Sequence, residues 1–264
     1  SQSLSSLVIS GVNSEKAFKI KTKGLHASKN HSDLTIRMAK QTGANIALVS
    51  NDELFVEPWN PKWNGNVQVP GDASLAIYCM LWSRLHNVSI ILQGFPNKVE
   101  SLGHNHLIEI SEYVGLDVDI KNGGEKFLTP VKCKKEPIFV DLKNSIDALP
   151  AMAALLAITC GGTLTGIGNA RIKESDRVDE TQKLLSIFGI ETDLIGNDLV
   201  ISGNQLISKP KDTVPIPYDH RMNMLAIILA SAEGGTIEFS DSYEITDKNF
   251  LNRLLEMGMK ISYI

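Results

Sequence analysis

Phe188-Gly189-Ile190-Glu191-Thr192-Asp193-Leu194 is the stretch whose reading decides the fold. Before it, Leu184, Leu185, Ile187 and Phe188 mark the apolar side of a helix, and that helix stops at the glycine. After it, alternating residues read as a strand. The pattern is a helix end with a left-handed glycine cap, feeding a half-buried strand. The junction recurs at Thr42-Gly43-Ala44-Asn45-Ile46, at Val114-Gly115-Leu116-Asp117-Val118 and at Met257-Gly258-Met259-Lys260-Ile261. The four glycines are 72, 74 and 69 residues apart. Such a period means one supersecondary unit used repeatedly.

Around each junction the rest of the unit can be laid out. An apolar first helix precedes a strand; an amphipathic second helix, the glycine and a closing pair of strands follow. First helices are expected at 4–9, 74–85, 150–159 and 222–232, the last two running into Gly161-Gly162-Thr163 and Gly234-Gly235-Thr236. Three of the four starts carry an aspartate, Asp72, Asp147 and Asp219. Aspartate is a favoured helix cap, and Asp72 is read as one. Stacked repeats point equivalent helix starts the same way, so their positive ends converge. That phase predicts Asp147, Asp219, His220 and Arg221 in one region. Residues 57–66, rich in Pro, Asn and Gly, break the rhythm and read as a linker. Two domains are expected, residues 1–68 and 69–264.

Asn169-Ala170-Arg171-Ile172-Lys173-Glu174-Ser175-Asp176-Arg177 places three cations and two carboxylates in nine residues. It lies between a buried helix running into a strand (151–165) and an amphipathic helix (178–188). In a helical first turn Lys173 and Arg177 fall on one face and repel each other unless an anion or carboxylate lies between them. A helix start also attracts anions. One reading is a site for an anionic substrate with an acid/base group at hand. The other is a solvated helix start, with Asp176, Asp179 and Glu180 favoured in its first turns.

The chain has 264 residues, 43% apolar and 21% charged, with a formal net charge of −4. That balance argues against nucleic acid or an acidic membrane as the main partner, so any anion site is built from local cations. No uninterrupted apolar run is long enough to span a membrane. Cys79, Cys133 and Cys160 lack metal-ligand spacing and fit a reducing, cytoplasmic setting. His26, His86, His104 and His106 also lack ligand partners at metal spacing. Asn122-Gly123-Gly124 reads as a hairpin turn. The chain begins at Ser1 inside what looks like an element, so a piece of something longer is expected.

With these motifs in order, residues 1–250 resemble the 5-enolpyruvylshikimate-3-phosphate synthase family. Ser1-Gln2 is similar to the end of its Ser-Ser-Gln segment. Val69-Pro70-Gly71-Asp72-Ala73-Ser74 is similar to its crossing into the second domain, and Asp147-Ala148-Leu149-Pro150 to its D-x-x-P. Residues 171–177 resemble R-V-K-E-S/T-D-R with Ile172 for Val. Asp219-His220-Arg221-Met222-Asn223-Met224 resembles D-H-R-M-A-M with Asn223 for Ala, and Lys248 matches a lysine that precedes a Phe. Ser28-Lys29-Asn30-His31 departs from the S-K-P-Y form of some members.

The resemblance implies an α/β (α+β) enolpyruvyl transferase fold: six βαβαββ units in two domains, with the active site in the cleft. About four units are present, so the chain looks like the C-terminal part. An N-terminal lysine, a glycine-rich segment and an arginine of the family are absent. The implied reaction moves the enolpyruvyl group of phosphoenolpyruvate onto the 5-hydroxyl of shikimate 3-phosphate and releases phosphate. By the same resemblance Gln2, Arg177, Arg221 and Lys248 would hold phosphoenolpyruvate. Ser1, Gln2, Ser28, Asp147, Asn169 and Lys173 would hold shikimate 3-phosphate. Asp147 would be the general base, Glu174 would act near the methylene carbon, and Lys248 would share proton transfer. His220 either takes part or orients Arg221, and His31 stands where others have an aromatic. No metal or other cofactor is implied. The implied partners are the two anionic substrates and the absent N-terminal part. Two alternatives stand beside this reading: a UDP-sugar enolpyruvyl transferase, whose family uses a reactive cysteine in an N-terminal half that this chain does not contain, and a non-catalytic anion-binding fragment.

Overall fold

The computed structural model describes residues 2–23, 29–120, 125–134 and 136–262. The first unit comprises α1 (Gln2–Ile9), β1 (Phe18–Lys21), α2 (Lys29–Gln41), β2 (Ile46–Ser50) and β3 (Glu53–Val56). The second has α3 (Ala76–His86), β4 (Ile90–Leu92), a single-turn α4 (His106–Glu109), β5 (Leu116–Ile120) and β6 (Lys126–Pro130). The third has β7 (Ile138–Asp141), α5 (Leu149–Ile158), β8 (Gly162–Thr165), α6 (Arg177–Ile187), β9 (Asp193–Ile195) and β10 (Asp198–Ile201). The fourth has α7 (His220–Glu233) and α8 (Phe250–Glu256).

The sheets carry the repeat in their topology. Strand orders are β1-β3-β2, β4-β6-β5 and β7-β8-β10-β9, so each closing strand lies between the other two of its unit. Those pairs are antiparallel, while β7 adds to β8 in parallel. The fourth unit keeps one trace of that parallel step, a bridge between Val214 and Ile237. Gly43, Gly115, Gly189 and Gly258 all have positive φ, from 74° to 101°, as a left-handed helix cap requires. After Gly258 the described residues form no strand. The expected closing pair is therefore not found among the described residues there, since a strand is defined by its ladder and residues 259–262 pair with none.

Leu, Ala and Met favour helix in α5, and Pro150 suits its first turn. Residues 149–157 are all buried. α5 is apolar on every side because it is a core helix. It packs against α3 and α7, so the first helices of units two to four meet at the centre with the sheets outside them. The first unit has a separate, smaller core of Val8, Ile20, Ala39, Ala44, Ile46, Leu54 and Val56. Between the two cores, residues 57–72 form no helix or strand. Trp59 anchors the start of that stretch, its indole N–H donating to Thr42 Oγ1 at 3.3 Å. Among the described residues no helix is long and apolar enough to cross a membrane. The Asn122-Gly123-Gly124 turn lies outside the described residues, but the strands on either side pair antiparallel, with Ile120 opposite Lys126.

Candidate active site

The site grows from Arg177, the first residue of α6. Asp176 caps this helix, its Oδ1 accepting from the N–H groups of Val178 and Asp179 at 3.2 Å each. Only 1% of the Arg177 side chain is exposed, and three carboxylates take up its donors. Nε donates to Asp219 Oδ2 at 2.8 Å, Nη1 to Asp147 Oδ1 at 2.6 Å, and Nη2 to Glu174 Oε2 at 2.5 Å. Exposure grades along the set, from 0% for Asp219 through 29% for Asp147 to 46% for Glu174. Ser175 Oγ donates a further bond to Asp219 Oδ2 at 2.8 Å.

The sequence expectation of Lys173 and Arg177 on one helical face is corrected. α6 begins at Arg177, and Lys173 is extended, ending a 3₁₀ turn over Gly168–Ile172. Asp176 stops the helix from starting earlier. The repulsion between the two cations is nevertheless relieved by a carboxylate between them: Asp147 Oδ1 is 2.6 Å from Arg177 Nη1 and 3.4 Å from Lys173 Nζ. Asp147 Oδ2 has no partner among the described residues.

The three starting aspartates divide their work. Asp72 caps the 3₁₀ turn Ala73–Leu75 through the Ser74 N–H at 2.8 Å, and Asp219 caps α7 through the Arg221 N–H at 2.9 Å. Asp147 caps nothing; it lies in the 3₁₀ turn Ile146–Ala148 and faces the cations. Burial pushes its pKa up, but the charges of Arg221, Lys173 and Arg177 outweigh burial and hold it well below the carboxylate range. Asp219 is also lowered: burial acts against ionisation, and the hydrogen bond and charge of Arg177 win.

Arg221 is 4% exposed. Its Nη2 donates to Ser74 Oγ at 2.7 Å, while Nε and Nη1 have no partner among the described residues. His220 is half-buried beside it. Burial lowers the His220 pKa, and Arg221 and Arg177 push the same way against Asp219 and Glu174. Asp147, Asp219, His220 and Arg221 thus share one region, as the phase of the repeat predicts. His31, at the start of α2, reaches it from the first unit: partial burial lowers its pKa, Asp147 raises it and Lys173 lowers it.

Asn169 is half-buried in the 3₁₀ turn before Lys173. Lys248 and Gln2 are exposed, without a hydrogen bond or ion pair among the described residues. Ser1 and Ser28 lie outside the described residues. Sequence reasoning passed over Ser175, Ser74 and Tyr78 as contributors, and it did not foresee Asp219 as the buried partner of Arg177. The convergence argument that gathered Asp147 and Asp219 applies equally to Ser74 and Tyr78 at the start of α3, and was the available signal.

Comparison with known proteins follows the same lines. The family model of EPSP synthase (3-phosphoshikimate 1-carboxyvinyltransferase) matches residues 1–254. A 3-phosphoshikimate 1-carboxyvinyltransferase from Korarchaeum cryptofilum is 29% identical, the match covering 100% of this chain and 61% of the relative. One from Saccharolobus solfataricus is 28% identical, over 89% of this chain and 56% of the relative. In structure, an EPSP synthase from Acinetobacter baumannii aligns with TM-score 0.76 and 21% identity, covering 99% of this chain and 61% of that one. The enolpyruvyl transferase NikO from Streptomyces tendae aligns with TM-score 0.69 and 14% identity, covering 99% and 60%. The fold is that of the enolpyruvyl transferases. Within it, the chain belongs to the EPSP synthase family, and it spans 56% to 61% of the length of these two curated relatives.

Proposed function

We propose that this chain is the C-terminal share of an enzyme that transfers the enolpyruvyl group of phosphoenolpyruvate to the 5-hydroxyl of shikimate 3-phosphate and releases phosphate. The observation that carries the reading is Asp147. One of its oxygens is held by Arg177 and Lys173, the other is without a partner among the described residues, and the charge of Arg221 also favours its ionised form. A carboxylate so held is a fixed proton acceptor, and its low pKa keeps it ionised. Phosphoenolpyruvate bound at Arg221 neutralises that cation, which raises the Asp147 pKa toward the range where a general base works well. The proton leaves the 5-hydroxyl for Asp147 Oδ2, the hydroxyl oxygen bonds the enol carbon, and a proton carried by Glu174 adds to the methylene carbon, giving a tetrahedral adduct that still bears the phosphate. Elimination reverses the proton transfers and expels phosphate.

Arg221 and Lys248 have donors free for phosphoenolpyruvate. Arg177 joins them when Glu174, its most exposed partner, turns to the substrate. Asn169 and Lys173 hold the shikimate phosphate, and the family resemblance adds Ser1, Gln2 and Ser28 to the same substrate. The division into residues 1–68 and 69–264 follows from the same reading, as do a cytoplasmic setting and an N-terminal portion that completes the cleft. Two cores separated by residues 57–72 support the division. Phosphate release from the two substrates tests the proposal, with this chain alone and mixed with an N-terminal portion taken from a full-length relative. The expected result is release only in the mixture, abolished by Asp147→Ala. No release in the mixture would sink the assignment.

A further inference from the structure

Val69-Pro70-Gly71-Asp72-Ala73-Ser74 has no task in the reaction described above, yet its contacts lead to Arg221. Gly71 lies against the backbone at Gly94: its N–H donates to the Gly94 carbonyl at 2.8 Å, and a Cβ there would meet that oxygen at 2.8 Å. Asp72 caps the Ser74 N–H. Together these contacts fix the turn that leads into α3. Ser74 Oγ then accepts from Arg221 Nη2 at 2.7 Å, across 147 residues of sequence. One helical turn later comes Tyr78, which is buried. The Arg221 guanidinium lies over its ring, 5.9 Å from the centroid, within the range of a cation–π contact. The Tyr78 hydroxyl donates to the backbone carbonyl of Arg221 at 3.1 Å. Arg221 is therefore held at both ends by one residue and at the tip by another. What this cradle leaves over is Nε and Nη1, buried and unpartnered among the described residues. A guanidinium keeps its charge when buried, and unmatched donors on a charged group are unfavourable, so the arrangement suits an oxyanion.

We infer that Ser74 and Tyr78 are positioning residues, which aim the free donors of Arg221 at the anion. The inference rests on the proposed phosphoenolpyruvate role of Arg221, but its test separates the two. Arginine side-chain NMR on the ¹⁵N-labelled 264-residue chain reads the order of Arg221 without any substrate. Slow rotation of the Arg221 guanidinium is expected in the wild type. Ser74→Ala and Tyr78→Leu should both lose it, and Ser74→Thr and Tyr78→Phe, which keep the hydroxyl or the ring, should retain it. In the reconstituted enzyme Ser74→Ala should raise KM for phosphoenolpyruvate about tenfold with little change in kcat. Unchanged Arg221 order in both Ser74→Ala and Tyr78→Leu would overturn the inference. Ser74→Ala removes one oxygen, so it serves if Tyr78→Leu does not fold. Ordered Arg221 in the wild type with no turnover once the N-terminal portion is added would overturn the enolpyruvyl-transfer reading and leave the positioning intact.

Discussion

Arg177 is the residue on which the site depends, because it neutralises charge that the fold has already buried. Arg177→Met would strand Asp219, which is fully buried, and Asp147 beside it. Breaking a buried pair in this way costs about 3–5 kcal/mol, which urea denaturation would measure. Glu174→Gln touches the same guanidinium from a half-exposed position, so its effect on stability should stay within about 1 kcal/mol. The pH dependence follows from the same pairs. Asp147 and Asp219 have folded pKa values below their unfolded ones. Their contribution to stability is complete above the unfolded aspartate value of about 3.9 and is lost as pH falls below it toward the folded values. Acid titration of stability should therefore be shallower below pH ~4 in Asp147→Asn than in the wild type. The sequence showed the charged residues of this site but not their pairing. Asp147 and Arg177 are 30 residues apart, Asp219 and Arg177 are 42 apart, and only the packing of α5, α6 and α7 brings them together.

Among the elements, the helix ends were the most legible part of the chain, since few residues other than glycine adopt their backbone geometry without strain. The glycines differ in their surroundings, and this separates two contributions. Gly43, at φ 101°, has nothing within 4 Å of where a Cβ would lie, so Gly43→Ala should cost only the backbone term of about 1–2 kcal/mol. Gly161, at φ 74°, would bring a Cβ to 2.6 Å from the Gly203 nitrogen, and that atom belongs to the backbone. Gly161→Ala should therefore be the more damaging of the two in thermal denaturation. The start of α6 was less legible. Ser175, Asp176 and Asp179 are all acceptable caps by residue type, and the choice of Asp176 moved Lys173 out of the helix. The fourth unit was over-read, because a strand-like pattern after Gly258 cannot form a ladder by itself.

At the scale of the whole molecule the two cores are unequal. Among the described residues the first unit buries only seven apolar ones in its own cluster, whereas the other cluster runs through α3, α5 and α7. Small cores are marginal, so amides of β2 and β3 should exchange with solvent through cheaper openings than those of α5. Hydrogen exchange read by mass spectrometry would show this as early loss of protection in 46–56. Equal protection in both regions would mean that the units unfold as one. The sheet topology has a consequence for anyone wishing to cut the molecule. No described ladder joins strands of different units, so a break within 57–72 severs no strand pairing. The chain thus has the makings of a split reporter: two separately expressed pieces, one short and one long, each keeping all of its described strand pairings, whose reassembly would rebuild no sheet.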